Sequence, residues 1–395
     1  MPQRPKLSIC VPSRNRQDCL RQTICDLALN SRADVEFVVA DNSDDPSVMN
    51  AFIAGLHDPR IRYLPSVDQA LSMADNWERT LAAATGDWVT FIGDDDYVDP
   101  DVIDRITEIE ARDAEVETIG WNRSSFEWVA ARNGDKSVRF SLANRIMRHS
   151  KDLLESRLFG WTASTYLPQC PYGIYHGAVP RRTLDRIARQ FSGRFFEHPT
   201  VDYDFMHKLV SSSSNFAYVN RPMSILGVAP SSNSAAVGDA AKTERAVEGL
   251  RREYGDSFDE VTRAAGFPFG VHSGVAGNIM AAQVWFKERY GFTYEGWQEN
   301  FARAVTAECG IWKERDSFDR HVASIEVMFR QWENGRYLPL FEPRFVGHVE
   351  GPTFWGVHDN HLYLSQDVAG AETPRAFYRV LQDILPAFND MEVAL

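Results

Sequence analysis

The 395-residue chain has no uninterrupted apolar run of the length that crosses a bilayer, about 18 residues or more. Its opening stretch, MPQRPKLSICVPSRNR, also lacks the apolar core of a secretory signal. The expectation is therefore a soluble protein, cytoplasmic and at most peripheral at the inner membrane face. Cysteine is scarce: Cys10, Cys19, Cys25, Cys170 and Cys309 are odd in number and lack paired metal-ligand spacing. That pattern excludes a disulfide framework and a zinc cluster, and it fits a reduced compartment. Positive charge is in deficit, with 42 Lys and Arg against 55 Asp and Glu, a formal charge of −13. General attraction to nucleic acid or anionic lipid is excluded on that balance.

What is present is ordinary globular composition, 44% hydrophobic and 25% charged. The length exceeds the roughly 250–300 residues at which one core stops growing, so two domains or one domain with a large appendage is expected. Apolar runs at Leu7 to Pro12, Val35 to Ala40, Arg60 to Leu64 and Trp88 to Ile92 alternate with helical patterns at Asp18 to Ala28 and Ala70 to Ala84. This alternation predicts a parallel, doubly wound α/β sheet, in which ligands bind beyond the carboxyl ends of the strands. Three of those strands end in polar clusters: Pro12-Ser13-Arg14-Asn15, Asp41-Asn42-Ser43 and Asp94-Asp95-Asp96. In a parallel sheet all three share one edge and make one site.

The last cluster carries the most chemistry. Neighbouring carboxylates repel one another and resist desolvation, so a positive partner belongs beside them; a divalent cation shared with an anionic ligand supplies it. A solvated turn, where Asp is also common, is the bland alternative. Further along, helices are expected over Pro100 to Arg112, Arg182 to Phe191 and Asp202 to Val210, with a strand at Phe216 to Val219. Residues 231–243 read as a linker or mobile loop, and 244–395 as a mainly helical accessory region with a less regular stretch from Pro339 to Asp367. Its apolar and aromatic stripes suit core packing or a homo-oligomer contact.

The stretches SICVPSRNR, EFVVADNSDD, NWERTLAAATGDWVTFIGDDD and VDYDF resemble, in order and spacing, the family-2 glycosyltransferases of the GT-A fold. The resemblance covers residues 5 to 230. It implies a Rossmann-like, mostly parallel sheet flanked by helices, and a metal-dependent, inverting transfer of sugar from a nucleotide-sugar. Mn²⁺ or Mg²⁺ and a UDP-sugar donor are implied as cofactors. The implied acceptor is a glycan or a lipid-linked oligosaccharide in surface polysaccharide synthesis, with a protein or modified nucleobase as the outlying case. Two other readings stay open: a sugar-1-phosphate nucleotidyltransferase, which normally opens with a glycine-rich phosphate loop absent from VPSRNR, and a catalytically lapsed nucleotide-sugar-binding module.

Residue by residue, the resemblance puts Pro12, Ser13 and Arg14 at the nucleotide, Asp41 and Asn42 at the base or ribose, and Arg79 toward the donor phosphates. Asp94 and Asp95 lie at the donor, with Asp95 and Asp96 as metal carboxylates. Gly93 stands where the family has its first Asp. Asp202 matches the catalytic base; Asp204, about 200° away around a helix, cannot face the same substrate. His198 and His207 are bases by chemistry alone. No histidine occurs in Leu226 to Ser231, where many members have a further metal ligand. Trp161, Tyr172, Tyr175 and His176 are the acceptor candidates, aromatic faces being suited to sugar rings, with core packing as the alternative for each.

Overall fold

The computed structural model describes residues 4–132, 136–232, 238–264, 266–347, 354–387 and 392–394. The first half builds the expected alternation. Strands β1 (Leu7–Ser13) and β2 (Val35–Asp41) are buried along their whole length, as strands covered on both faces must be. Between them α1 (Gln17–Ala28) turns Leu20, Ile24 and Leu27 inward. Helix α2 (Ser47–Ala54) leads to β3 (Ile61–Leu64), and α3 (Met73–Ala83) to β4 (Trp88–Phe91). The α3 pattern extends back to Ala70 in sequence, but Ser72 caps the helix by accepting the Asp75 N–H at 3.1 Å.

Next come β5 (Tyr97–Val98), α4 (Val102–Arg112) and β6 (Thr118–Glu127), then β7 (Ser137–Ser141), β8 (Arg145–His149), α5 (Lys151–Leu158), β9 (Gly177–Pro180), α6 (Arg181–Gln190), α7 (Val201–Ser212) and β10 (Phe216–Val228). The sheet order includes β3-β2-β1-β4-β9-β6-β10-β8. Strands β3, β2, β1 and β4 are mutually parallel, β9 is antiparallel to both β4 and β6, and β10 is parallel to β6. The sheet is thus mostly parallel, as the alternation predicts.

Strand β10 runs far past the expected Phe216 to Val219. Its register shifts between Val219 and Ser224, around Pro222. Proline donates no ladder hydrogen bond and marks a bulge, so the sequence pattern stops while the strand continues. That extension matters, because it carries the chain to Gly227, beside the carboxylates.

The later chain forms α8 (Ala240–Tyr254), α9 (Phe258–Thr262), α10 (Gly274–Tyr290), α11 (Gln298–Cys309) and α12 (Arg315–Gln331), then β11 (Gly356–His358), β12 (His361–Ser365), α13 (Pro374–Ile384) and β13 (Glu392–Ala394). Within the expected linker, α8 already starts at Ala240, and residues 233–237 lie outside those described. The region also returns to strands: β11 and β12 form a small sheet with β7, and β13 pairs with β8.

Alternate residues of β1 feed opposite cores, as the pleat requires. Leu7, Ile9 and Val11 pack with Ile103 and Ile106 of α4 and with Phe377, Tyr378 and Leu381 of α13. Cys10 faces Phe91, Phe205, Leu209 and, from α10, Phe286. A third, aromatic cluster holds Phe269, Phe301, Phe329 and Trp332. No described helix is long and apolar enough to cross a membrane.

Candidate active site

Parallel register sets Ser13, the end of β1, beside Asp41, the end of β2, while Cys10 lies beside Phe91 of β4. The three polar clusters consequently meet. Ser13 Oγ donates to Asp94 Oδ2 at 2.5 Å, Asn42 N donates to the Ser13 carbonyl at 2.9 Å, and Thr23 of α1 bonds the Asp94 carbonyl at 2.8 Å. Asn15, at the tip of the first loop, holds a left-handed φ of 55°. Such strained backbone persists only where its surroundings fix it.

All three consecutive carboxylates are buried, yet they look in different directions. Asp96 is turned inward: it accepts Tyr175 Oη at 2.7 Å, His176 Nε2 at 3.0 Å, Gly93 N at 2.6 Å and Gly227 N at 2.7 Å. Burial pushes its carboxyl up, but His176, Tyr175 and the Gly227 N–H more than offset this and hold it below the ordinary carboxylate range. Asp95 accepts the Ala229 N–H at 3.2 Å and the Ser232 hydroxyl, and ion-pairs with Arg16 Nη2 at 2.6 Å. Asp94 Oδ1 lies 3.0 Å from the same Nη2. Burial drives Asp94 up to about 7, against the opposing pull of Arg16; burial and the Asp96 charge also raise Asp95.

The pairing of Asp95 with Asp96 as metal carboxylates is therefore corrected: Asp94 and Asp95 converge, and Asp96 is spent on His176, Tyr175 and two backbone N–H groups. Gly93 follows from this. A Cβ there would come within 2.9 Å of Asp96 Oδ2 and 3.1 Å of Asp95 Oδ1, so a side chain would intrude on both carboxylates. The absent histidine is also accounted for locally, since Ala229 N and Ser232 Oγ serve Asp95 from that segment.

In the second strand-end cluster, Asp41 Oδ1 is held by the Ser43 N–H at 3.0 Å and its hydroxyl at 2.5 Å. Asn42 exchanges two hydrogen bonds with the Leu71 backbone, at 2.8 and 2.9 Å. Arg14 sits at the rim, paired with Glu253 of α8 at 2.6 Å and Asp44 at 3.4 Å. Pro12 is buried within β1 and shapes the strand end. Arg79 spends its guanidinium on Asn76 Oδ1 and on the carbonyls of Pro65 and Asp41, at 2.8, 2.9 and 2.6 Å. It braces the strand-end loops instead of standing free for phosphate.

Asp202 and Asp204 occupy the first turn of α7. Asp202 is partly exposed, and its Oδ1 accepts the Tyr203 N–H at 3.0 Å. Burial raises its carboxyl, opposed by that N–H and by the nearby Arg123. The charge of the same Arg123 also acts on Tyr175 and His176, the partners of Asp96. Asp204 is buried in an ion pair with Lys208 at 3.2 Å. His198 and His207 are buried and held neutral, each lowered to about 3 by desolvation, which removes both as bases reaching substrate.

The acceptor candidates divide. Trp161 is buried in the third core, its indole donating to Gln283 at 3.0 Å, and Tyr172 is buried with its hydroxyl on His149 at 3.1 Å. Both are core residues, a correction whose cause is the packing of the later helices and of β8 over that segment. Tyr175 and His176 reach the site instead, because Phe91 N bonds Ile174 O at 2.7 Å and His176 N bonds Phe91 O at 3.0 Å, laying the segment along the end of β4. Burial lowers His176, and its Nδ1 lies 2.8 Å from Ser224 Oγ. Arg16, Ser224 and Glu253 were not singled out in the sequence. Only Arg16 carried a signal, lying in the same SRNR loop as Ser13 and Arg14.

Among the described residues no group of three His, Cys, Asp or Glu side chains gathers as a metal cage. Two carboxylate oxygens do converge on one point, already taken by a cationic nitrogen, and Asp94 Oδ1 is buried without a hydrogen bond. This donor set suits a hard divalent cation that keeps water and ligand phosphates in its other positions. Asp94 and Asp95 would hold it.

Two curated relatives match short stretches of the chain. One, named GalNAc(5)-diNAcBac-PP-undecaprenol beta-1,3-glucosyltransferase, from Campylobacter jejuni, is 34% identical over 93 residues, 23% of this chain and 30% of that protein. The other, the uncharacterized glycosyltransferase EpsJ of Bacillus subtilis, is 32% identical over 117 residues, 29% of this chain and 33% of that protein. The chain thus spans about a third of the length of each. Among solved structures, S. aureus TarS 1-349 is 12% identical with a TM-score of 0.42, covering 85% of this chain and 90% of that one. Its complex with UDP-GlcNAc scores 0.46 over the same coverage. Residues 8–163 match the glycosyl transferase family 2 model, and this part of the chain is a glycosyltransferase domain of that family.

Proposed function

We propose that this chain transfers a sugar from a uridine-based nucleotide-sugar to an acceptor hydroxyl, with inversion at the anomeric carbon and with Mn²⁺ or Mg²⁺ bound beside the donor. One observation carries the reading: Ser13, Asp41, Asp94 and Asp95 meet at the carboxyl edge of parallel strands, where open α/β sheets bind their ligands. The domain match agrees with it.

In this reading Asp41 and Asn42 face the nucleoside and Arg14 the nucleotide. Asp202 takes the proton of the acceptor hydroxyl as the new bond to C1 forms, while the C1–oxygen bond to the diphosphate breaks and its electrons leave with that group. The divalent cation, when bound, neutralises charge on the departing diphosphate. A partly exposed carboxylate raised by burial suits Asp202 to proton abstraction, whereas Asp204 is committed to Lys208. A lipid-linked glycan is the acceptor class favoured by the name of the Campylobacter relative.

The test is slow hydrolysis of a panel of UDP-hexoses with Mn²⁺, read as UDP release, alongside calorimetric binding of UDP. Metal-dependent UDP release supports the reading. Metal-dependent binding without release points to a lapsed binding module, and neither signal across several nucleotides overturns the reading.

A further inference from the structure

Arg16 is the N-cap residue of α1, and its side chain folds back under the strand ends. Its Nη2 stands 2.6 Å from Asp95 Oδ2, 3.0 Å from Asp94 Oδ1 and 3.5 Å from Ser232 Oγ. Among the described residues it is the only arginine or lysine ion-paired with Asp94 or Asp95, since the neighbouring Arg14 is engaged by Glu253 and Asp44. We propose that Arg16 is a resident counter-cation seated at the divalent-cation position, and that the cation enters only as Arg16 swings out. The inference rests on the functional reading above, in which a divalent cation binds beside a nucleotide.

Sterics make the two occupants exclusive. A divalent cation held by Asp94 and Asp95 would need the space between Asp94 Oδ1 and Asp95 Oδ2. Nη2 now fills that space, so ion and guanidinium cannot share it. The fit of the guanidinium is also incomplete: Arg16 Nε and Asp94 Oδ1 are both buried without a hydrogen bond. A bidentate fork, the geometry in which arginine and carboxylate bind best, is therefore not formed. Charge holds Arg16 in place, and a better cation can replace it.

Charge also explains why something must be seated there. Three buried carboxylates meet one guanidinium, on Asp94 and Asp95, and one imidazole, on Asp96. Leaving the pocket without a cation would strand uncompensated buried charge. Arg16 is 20% exposed at its side chain, so the outward path to solvent is short. A nucleoside diphosphate entering with its cation would offer the released guanidinium a new anionic partner. The free protein should accordingly bind the metal alone weakly.

The experiment is Mn²⁺ binding to the whole chain without nucleotide, followed by electron paramagnetic resonance of free Mn²⁺ and by calorimetry, for wild type, Arg16→Gln, Arg16→Lys and the double variant Arg16→Gln/Asp95→Asn. Arg16→Gln should bind Mn²⁺ at least about tenfold more tightly than wild type, a difference of about 1.4 kcal/mol. Mn²⁺ should also raise its melting temperature more than that of wild type. Arg16→Lys should lie between them and carries the test if the glutamine variant does not fold. Adding Asp95→Asn should cancel the gain; a gain that survives it places the ion elsewhere and overturns the proposal. Equal or weaker Mn²⁺ binding by Arg16→Gln, with Mn²⁺–UDP bound by both proteins, overturns the exchange and leaves the transferase reading standing. No Mn²⁺ or UDP binding by any variant overturns both.

Discussion

Asp202 and Asp204, two residues apart on the first turn of α7, meet opposite surroundings: Asp202 is partly open with the Tyr203 N–H on its Oδ1, while Asp204 is closed against Lys208 at 3.2 Å. Helical geometry turns neighbours at this spacing to opposite sides, and the two carboxylates diverge in surroundings for that reason. Asp202→Asn should lower kcat by at least about a hundredfold with UDP affinity nearly unchanged. Because burial raises the Asp202 carboxyl and the base acts when ionised, wild-type rate should climb with pH through a value above the usual ~3.9. That acid limb should vanish in the residual activity of the variant; full activity in Asp202→Asn would move the base elsewhere.

Lys208 is completely buried, pairs within α7 with Asp204 at 3.2 Å, and holds the helix to the preceding loop through Glu197 at 2.8 Å and the Phe195 carbonyl at 3.1 Å. Lys208→Met strands the buried Asp204 without its cation, while Glu197 keeps Arg289 at 3.5 Å, and should cost about 3–5 kcal/mol of stability. Urea denaturation measures it, and Asp204→Asn added to the variant should restore part of the loss. A cost under ~1 kcal/mol would mean that the network relaxes freely.

Gly227 lies where β10 crosses the carboxylates, and a Cβ there would sit 1.7 Å from the Asp95 carbonyl oxygen. Backbone cannot yield as a side chain can, so Gly227→Ala should lose about 1–3 kcal/mol or more together with metal-dependent UDP binding. Gly93→Ala meets only carboxylate tips, at 2.9 and 3.1 Å, and should weaken Mn²⁺–UDP binding with a smaller loss of stability. Melting curves paired with calorimetry separate the two effects; the reverse order would show that the Asp95–Gly227 contact is soft.

Glu308 of α11 accepts the N–H groups of Val275 and Ala276 at 2.6 and 3.0 Å, at the first turn of α10. Burial outweighs those bonds and pushes its carboxyl up to about 7. The folded state then holds a proton that the unfolded chain releases near the ordinary value of roughly 4.3. Stability should fall as pH rises between those values and level off above about 7. Melting temperatures from pH 5 to 8 should show a decline that Glu308→Gln flattens; an unchanged slope assigns the dependence to another group.

The strand–helix alternation up to β4 was legible because β1, β2 and β4 are apolar runs buried along their length and each boundary carries turn chemistry. Beyond it the signals blur. Pro222 hides the continuation of β10, and the aromatic stretch from Trp161 to His176 looks uniform, although Trp161 and Tyr172 enter core while Tyr175 and His176 line the site. Composition cannot separate these fates, since an aromatic ring serves a core and a sugar equally well.

By itself the sequence determined that a buried strand ends in three consecutive aspartates, because run length, turn residues and charge are local properties. It also determined, through register in a parallel sheet, that Ser13 and Asp41 arrive at the same edge. Only the tertiary structure decided which aspartate faces which partner. His176 and Gly227 lie 80 and 131 residues from Asp96 in the chain, yet their hydrogen bonds turn it inward. Asp94 and Asp95 are left to share the single charge of Arg16, because a buried carboxylate adopts the direction in which its charge is met, and distant segments set that direction.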